Sequence, residues 1–413
     1  MTFGTPINNE SLAYPSANRR GGGGVLARLW SAGAAPLVDR IDRGLVAGTL
    51  HATLPDGSTR TLGGRAPGFE AAVTLHDWRG LVRVARAGSV GLYQAWEAGE
   101  WSSPDPVQMF ALFVANADAL GGLARAHGPW RWAARLVHWL HRNTRRGSQR
   151  NIHAHYDLGN DFYTAWLDPE LVYSSARYAA PEQDLAAAQQ HKLAAIAQRL
   201  EGAKTVLEIG CGWGALAQHL HDQGMQVTAI SLSDAQLDWA RQRRSAQIDF
   251  RKQDYRDVSG QFDAIASVEM VEAVGREYWP AYFACLARCL TPGGRAAIQY
   301  IAIREELFPA YSRSADFIQT YIFPGGMLVS EAEFRRLAAE HALDWRDQED
   351  FALDYAETLK TWRENFDRAI AEGRLPPGFD ARFQRLWQFY LMYCEGGFRG
   401  GGITVAQVTL VKS

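Results

Sequence analysis

The stretch "VLEIGCGWG" (206–214) is the first part of this chain whose residue types and spacing could do chemistry. An apolar run carries an acid, Glu208, and breaks into glycines at 210, 212 and 214 around Cys211. Glycines at such a turn let the backbone approach a ligand closely and adopt dihedrals that other residues avoid. A second feature is "GGRAAIQYIAI" (293–303), an apolar strand-like run with an amide, Gln299, at its middle. A buried glutamine needs partners for both its donor and its acceptor.

The elements that must position these residues are legible from about Lys204 onward. "TVLEIG", "QVTAIS", "FDAIASVEM" and "RAAIQYIAI" are β-branched or apolar runs with helical stretches between them. Strands alternating with helices predict an α/β, Rossmann-like doubly wound parallel sheet, whose first strand-to-helix turn is a cofactor site. In that place "VLEIGCGWG" resembles motif I of S-adenosylmethionine (SAM)-dependent methyltransferases. Gly210, Cys211, Gly212 and Glu208 are then cofactor contacts. Many small-molecule methyltransferases carry an acid for the ribose hydroxyls after the second strand. Here the run Ser231, Leu232, Ser233 and then Gln236 stands there instead. Asp254 after the third strand faces the adenine side, with Tyr255 able to stack. The stretch from Glu331 to Phe398 reads as mostly helical, and "GITVAQVTLVK" as a closing strand.

The remaining chain divides by composition. Residues 1–24 are polar and glycine-rich and predict a disordered tail. Residues 25–126 read as a smaller N-terminal α+β domain of lipid-binding or dimerisation type. It contains a hairpin around the Pro-Asp-Gly of "GTLHATLPDGSTRTLGG" and a helix entered through proline in "PDPVQMFALFVANADAL". Residues 127–150 form a basic linker. Between Ala119 and Tyr156 no acid occurs, while Trp132, Leu136, Trp139 and Leu140 share one helical face among Arg131, Arg135, Arg142, Arg145 and Arg146. Apolar insertion combined with cationic charge is what an anionic membrane surface requires. The competing reading is a helix packed by its tryptophan face with solvated arginines. Residues 151–413 form the catalytic domain.

Bulk properties exclude several classes. A net charge of −2 gives no basic excess for a nucleic-acid partner. Four cysteines without a CxxC pair suggest reduced thiols and neither a disulfide framework nor a metal site. No signal-type segment and no run of 18 apolar residues is present, so the expected location is cytoplasmic, peripherally associated with the inner face of the cell membrane.

Five separated stretches together resemble the cyclopropane-fatty-acid synthase family: "HAHYDLGNDFYTAWLDPELVYSSARY" (153–178), "SVEMVEAVG" (267–275), "YIFPGG" (321–326), "FALDYAETLKTW" (351–362) and "FYLMYCEGGFR" (389–399). The likeness extends more loosely to "GSVGLYQAWEAGEW" (88–101). The resemblance implies SAM-dependent methylene addition across the cis double bond of an unsaturated acyl chain on a membrane phospholipid, with bound bicarbonate as the base. It makes Tyr173 and Ser174 SAM contacts. Ser175, in place of the family's usual cysteine, would hold bicarbonate through its backbone, with Glu272, Tyr355 and the Ile301 backbone completing the site. Gln299 stands where well-known members carry histidine. It can donate a hydrogen bond but cannot titrate near neutrality.

The leading expectation is therefore cyclopropane formation. The alternative within the class is the same methyl transfer ending in a methyl-branched or methylene product. A methyltransferase for a soluble small molecule leaves the arginine-tryptophan stretch and the missing ribose acid unexplained. A lipid-binding protein on a degenerate fold predicts a damaged glycine loop, and "EIGCGWG" is intact. A homodimer formed through the N-terminal domain is expected by family analogy alone.

Overall fold

The computed structural model describes residues 25–121 and 158–413. The basic tryptophan stretch and the first part of "HAHYDLGNDFY" lie outside these residues.

Seven strands build the main sheet: β5 (Thr205–Ile209), β6 (Gln226–Ser231), β7 (Asp249–Lys252), β8 (Phe262–Val268), β9 (Leu290–Ile303), β10 (Leu343–Asp350) and β11 (Ile403–Lys412). Their order is β10-β11-β9-β8-β5-β6-β7. From β9 to β7 all neighbours are parallel, while β11 runs antiparallel to both β9 and β10. The expected α/β, Rossmann-like sheet is present. The inner strands β5, β8 and β9 are mostly buried, which is why they read as apolar runs, whereas the edge strand β7, "DFRK", is mostly exposed.

Between β5 and β8 the winding reverses. The chain goes β5 to β6 to β7 on one side, then returns to place β8 and β9 on the other. The loops after β5 and β8 therefore leave the carboxyl edge side by side, at the crevice where open α/β sheets bind ligands.

One face of the sheet is covered by helices Leu185–Arg199, Ala215–Asp222 and Asp234–Arg243, which contribute Ile196, Leu216, Leu220 and Leu237 to a core with Val206 and Ala229. The other is covered by helices Trp279–Cys289 and Glu331–Glu340, through Phe283, Leu286, Phe334 and Leu337.

Strand β10 corrects the helical expectation for 331–398. "LDWRDQED" is charged and mostly exposed, so no apolar period marks it. An edge strand tolerates such a sequence because only one side pairs and charge blunts the free edge. Helices Ala352–Ala371 and Ala381–Arg399 then follow as the pattern predicts.

A four-stranded sheet, β2-β1-β3-β4, is formed by β1 (Thr49–Thr53), β2 (Thr59–Gly63), β3 (Glu70–Leu75) and β4 (Trp101–Ser102). β1 and β2 are the predicted hairpin, in register Thr49 to Gly63. Helix Pro106–Ala115 starts through Pro106, with Asp105 accepting the Gln108 amide at 3.2 Å. This helix packs on Ala381–Arg399. Phe110 and Tyr93 stack edge-on against Phe389, so one continuous core joins the N-terminal elements to the C-terminal helices.

That contact depends on Gly396, where an added Cβ would run into Phe110 Cβ and the backbone at Val107 and Ala111. Gly396→Ala is expected to cost about 1–3 kcal/mol by overpacking, read as a lower midpoint in thermal or urea unfolding. Gly57→Asn serves as the control, since its turn is left-handed (φ 84°) and open. Asparagine tolerates that conformation, so the midpoint should stay in place.

Candidate active site

The β5 loop turns through positive φ at Gly210, Gly212 and Gly214 (85°, 52° and 78°). Gly210 needs its small size because a Cβ would meet Met270. A Cβ added at Gly212 would meet nothing within 4 Å beyond its chain neighbours, so the turn opens onto free space there. The loop borders a cavity of about 180 Å³. Tyr173, Ser174, Glu208, Gly210, Cys211, Gly212, Ser231, Leu232, Gln236, Asp254 and Tyr255 all line it, bringing together eleven of the twelve predicted cofactor contacts. Ser233 instead caps helix Asp234–Arg243, accepting the Gln236 amide at 3.4 Å. Asp254 is paired with Arg256 and caps a single 3-10 turn.

Two buried titratable groups line this cavity. Glu208 is pushed up to about 8 by burial, and its Oε2 has no hydrogen-bond partner. Lys192 is brought down to about 8 by burial, and its Nζ donates to Ser174 Oγ at 2.7 Å. An unmet acceptor, an open glycine turn and a lysine-supported hydroxyl fit the polar end of a nucleoside-type cofactor.

A second cavity, of about 350 Å³, meets the first. Tyr173, Glu269 and Ala273 line both. The second is mainly apolar. Tyr355, Tyr390 and Ile301 lie near the junction, while Phe113, Val114, Leu120 and Gly88 come from the N-terminal elements. Gly88 lies at a break in helix Arg79–Glu97 (φ 58°, ψ −132°). Part of the wall is the π-helical turn Ile318–Ile322, within and just before "YIFPGG".

At the junction stands a residue that the motif reading passed over. Glu269 follows β8 and adopts φ 47°, a left-handed conformation costly for a residue with a Cβ. Its Oε1 accepts the Ser175 amide at 2.9 Å and Gln299 Nε2 at 2.7 Å. Its Oε2 accepts the Tyr355 hydroxyl at 2.6 Å. Burial raises the carboxyl above its ordinary range; those three bonds and the Lys192 charge oppose the rise.

Glu272, the glutamate singled out from the sequence, is placed differently. Its Oε1 accepts the Ile301 amide and its Oε2 has no partner, while burial and then the nearby Glu269 push it up to about 8. Gln299 and Tyr355 therefore bond Glu269, where the resemblance implied that they stand with Glu272 around a bicarbonate. The four donors anticipated for bicarbonate (Ser175, Gln299, Tyr355 and Ile301) already bond carboxylates of the chain, so these residues do not fit a bound bicarbonate.

Sequence reasoning missed Glu269, Lys192 and Tyr390. For Glu269 a signal existed: it is an acid just beyond a parallel strand at the sheet's carboxyl edge. Aromatic faces surround the junction. Tyr173 and Tyr390 share a hydroxyl contact of 2.8 Å, and Tyr355 lies 4.5 Å from Phe398 between ring centroids.

The family model for mycolic acid cyclopropane synthetase matches residues 143–408. The chain is 36% identical to tuberculostearic acid methyltransferase UfaA1 of Mycobacterium tuberculosis over 356 residues, 80% of either chain. It is 33% identical to the cyclopropane-fatty-acyl-phospholipid synthase of Escherichia coli, covering 80% of this chain and 85% of that one. Among solved structures, the mycolic acid cyclopropane synthase CmaA1 complexed with SAH and CTAB superposes with a TM-score of 0.59 at 27% identity, covering 64% of this chain and 98% of that one. The glycine-turn cavity and these matches agree: the chain belongs to the mycolic acid cyclopropane synthetase family and is a SAM-dependent methyltransferase related to lipid-modifying enzymes.

Proposed function

We propose that this enzyme transfers the SAM methyl group to the cis double bond of an unsaturated phospholipid acyl chain, with the Glu269 carboxylate as the base. The observation that carries the reading is the position of Glu269, where the nucleoside-type cavity meets the apolar one.

Bound SAM supplies an electrophilic methyl group. Tyr173, Ser174 and the 210–212 turn would hold it, while the apolar cavity holds the alkene and excludes water. The alkene π pair would form the new bond to the methyl carbon as the methyl–sulfur bond breaks, its electron pair staying on the departing thioether sulfur, and positive charge is left on the neighbouring carbon. Tyr173, Tyr355 and Tyr390 offer aromatic faces to that charge. The Glu269 carboxylate opposes it electrostatically and accepts the proton that must leave.

Glu269 and Glu272 divide the work because their surroundings differ. Three donors and Lys192 favour ionised Glu269, whereas Glu272 has one backbone donor and a carboxylate neighbour. Glu272, pushed up to about 8, is therefore the more readily protonated of the two, and Glu269, with more donors, the one better able to hold charge.

Two products are compatible with proton loss from the new methyl group. Loss with ring closure gives a cyclopropane; loss after a 1,2-hydride shift gives a methylene branch. We favour the branched product. The base is tethered to a strand end and locked by three hydrogen bonds, so it stabilises the cation in place and allows the shift. The similarity to tuberculostearic acid methyltransferase points the same way. A saturated methyl branch would need a hydride from a separate reductase. The cyclopropane reading is supported by the similarity to cyclopropane-fatty-acyl-phospholipid synthase.

Among the described residues no helix is long and apolar enough to cross a membrane. The arginine-tryptophan stretch, by its sequence, would dock the enzyme on an anionic lipid surface.

Incubation with SAM and phospholipids of defined double-bond position should add one CH₂ to the acyl chain. Fragmentation or NMR then separates ring from branch. Glu269→Gln is expected to lose at least about 100-fold in kcat, the scale of general-base catalysis, while still binding SAM; wild-type turnover would remove the assignment. Liposome binding should rise with anionic lipid and fall when Arg142, Arg145 and Arg146 become glutamate.

Stability should carry the mark of Glu272. Its folded value, about 8, lies above the ordinary 4.5, so its stabilising contribution is full below pH 4.5 and is lost as pH rises through 8. Glu272→Gln should melt like wild type near pH 5 and above it at pH 9.

A further inference from the structure

A line of hydrogen bonds runs from Glu269 to the protein surface, and its direction is set at the far end. Arg177 Nη1 donates to Gln407 Oε1 at 3.1 Å. Gln407 Nε2 donates to Gln299 Oε1 at 3.0 Å, and Gln299 Nε2 donates to Glu269 Oε1 at 2.7 Å. The two glutamines are direct register partners on the antiparallel pair β9 and β11, and both are fully buried. Arg177 is anchored in turn by Glu349 on β10, at 2.9 Å, and Arg199 holds the same carboxylate.

We propose that Arg177 is a positioning residue for the base: acting through Gln407 and Gln299, it holds Glu269 Oε1 as an acceptor and leaves Oε2 as the oxygen that takes the proton. This rests on the reading of Glu269 as the base.

The reason is donor and acceptor arithmetic. Guanidinium can only donate, so Gln407 turns its oxygen toward it and its nitrogen toward Gln299. Gln299 must then accept from Gln407 and donate toward Glu269. The Ser175 carbonyl, 3.4 Å from the same nitrogen, is a second and longer acceptor for it. A proton on Glu269 Oε1 would face two donors, the Ser175 amide and Gln299 Nε2, and reversing Gln299 would reverse every bond back to Arg177. Oε2 is different, because the Tyr355 hydroxyl can donate to it or accept from it. Both glutamines are neutral at every pH, so the line transmits orientation and carries no proton.

Glu269 also faces Tyr355 from helix Ala352–Ala371, Lys192 from helix Leu185–Arg199, and Glu272 from the turn after β8. Lys192 favours the anion and Glu272 opposes it. All three stay in place in the variants that follow.

The test is the acidic limb of kcat/KM, paired with infrared difference spectra against Glu269→Gln that titrate the Glu269 carboxyl band. Arg177→Met is expected to move both midpoints up by about one pH unit, roughly a ten-fold loss below the limb. Arg177→Lys, which keeps the donor, should hold them at the wild-type position. Gln407→Glu retains Arg177 and places an acceptor opposite Gln299; Gln299 then turns its oxygen to Glu269, and the midpoints should rise further than in Arg177→Met. Equal loss of rate at all pH values with unmoved midpoints would overturn the proposal. If Glu269→Gln turned over normally, the base assignment would fall, and the infrared midpoint would still decide whether Arg177 governs this carboxyl.

Discussion

A carboxylate removed from water must find donors or give up its charge, and the centre of this protein is organised around meeting that demand for Glu269. A buried carboxylate without partners costs several kcal/mol. The donors come from parts of the chain far apart in sequence: Ser175 before the first strand of the sheet, Gln299 in β9, and Tyr355 on a C-terminal helix. Each can reach Glu269 only if β8, β9 and the helical layer hold their places. The left-handed backbone at Glu269 belongs to the same constraint, because it is tolerated only where the surroundings over-determine it.

The topology explains why this demand is met at the junction of two cavities. Reversal of winding between β5 and β8 sets the glycine turn and the Glu269 loop next to each other. One side accommodates a polar cofactor; the other is closed by aromatic side chains and by N-terminal elements that share a continuous core with the C-terminal helices. A reaction joining a sulfonium methyl group to a hydrocarbon chain needs both environments in direct contact. It also needs the charge created there to meet aromatic faces and an anion, with water excluded.

Electrostatics complete the division of labour. Glu208, Glu269, Glu272 and Lys192 lie close together under burial, and their hydrogen bonds decide which of them is charged. Glu269 has three donors, whereas Glu208 and Glu272 each keep an oxygen without a partner. The same burial that raises Glu208 and Glu272 raises Glu269 as well, against the pull of its three donors and Lys192.

The sequence by itself determined the sheet, the glycine turn and nearly all of the cofactor cavity, because those rest on local pattern: apolar strand runs, glycine spacing, and motifs that follow strands. It also marked Gln299 as a polar residue in need of partners. Strand β10 was illegible because a charged edge strand has no buried face to impose a period. The place of Glu269 was illegible for a different reason. "SVEMVEAVG" offers two glutamates three residues apart, and only the folded chain decides between them. A strand register, a left-handed residue and three distant donors aim Glu269 into the junction, while Glu272 turns to the Ile301 amide. Which carboxylate is an anion depends on the sum of contacts made from across the chain, and that sum exists only in the tertiary structure.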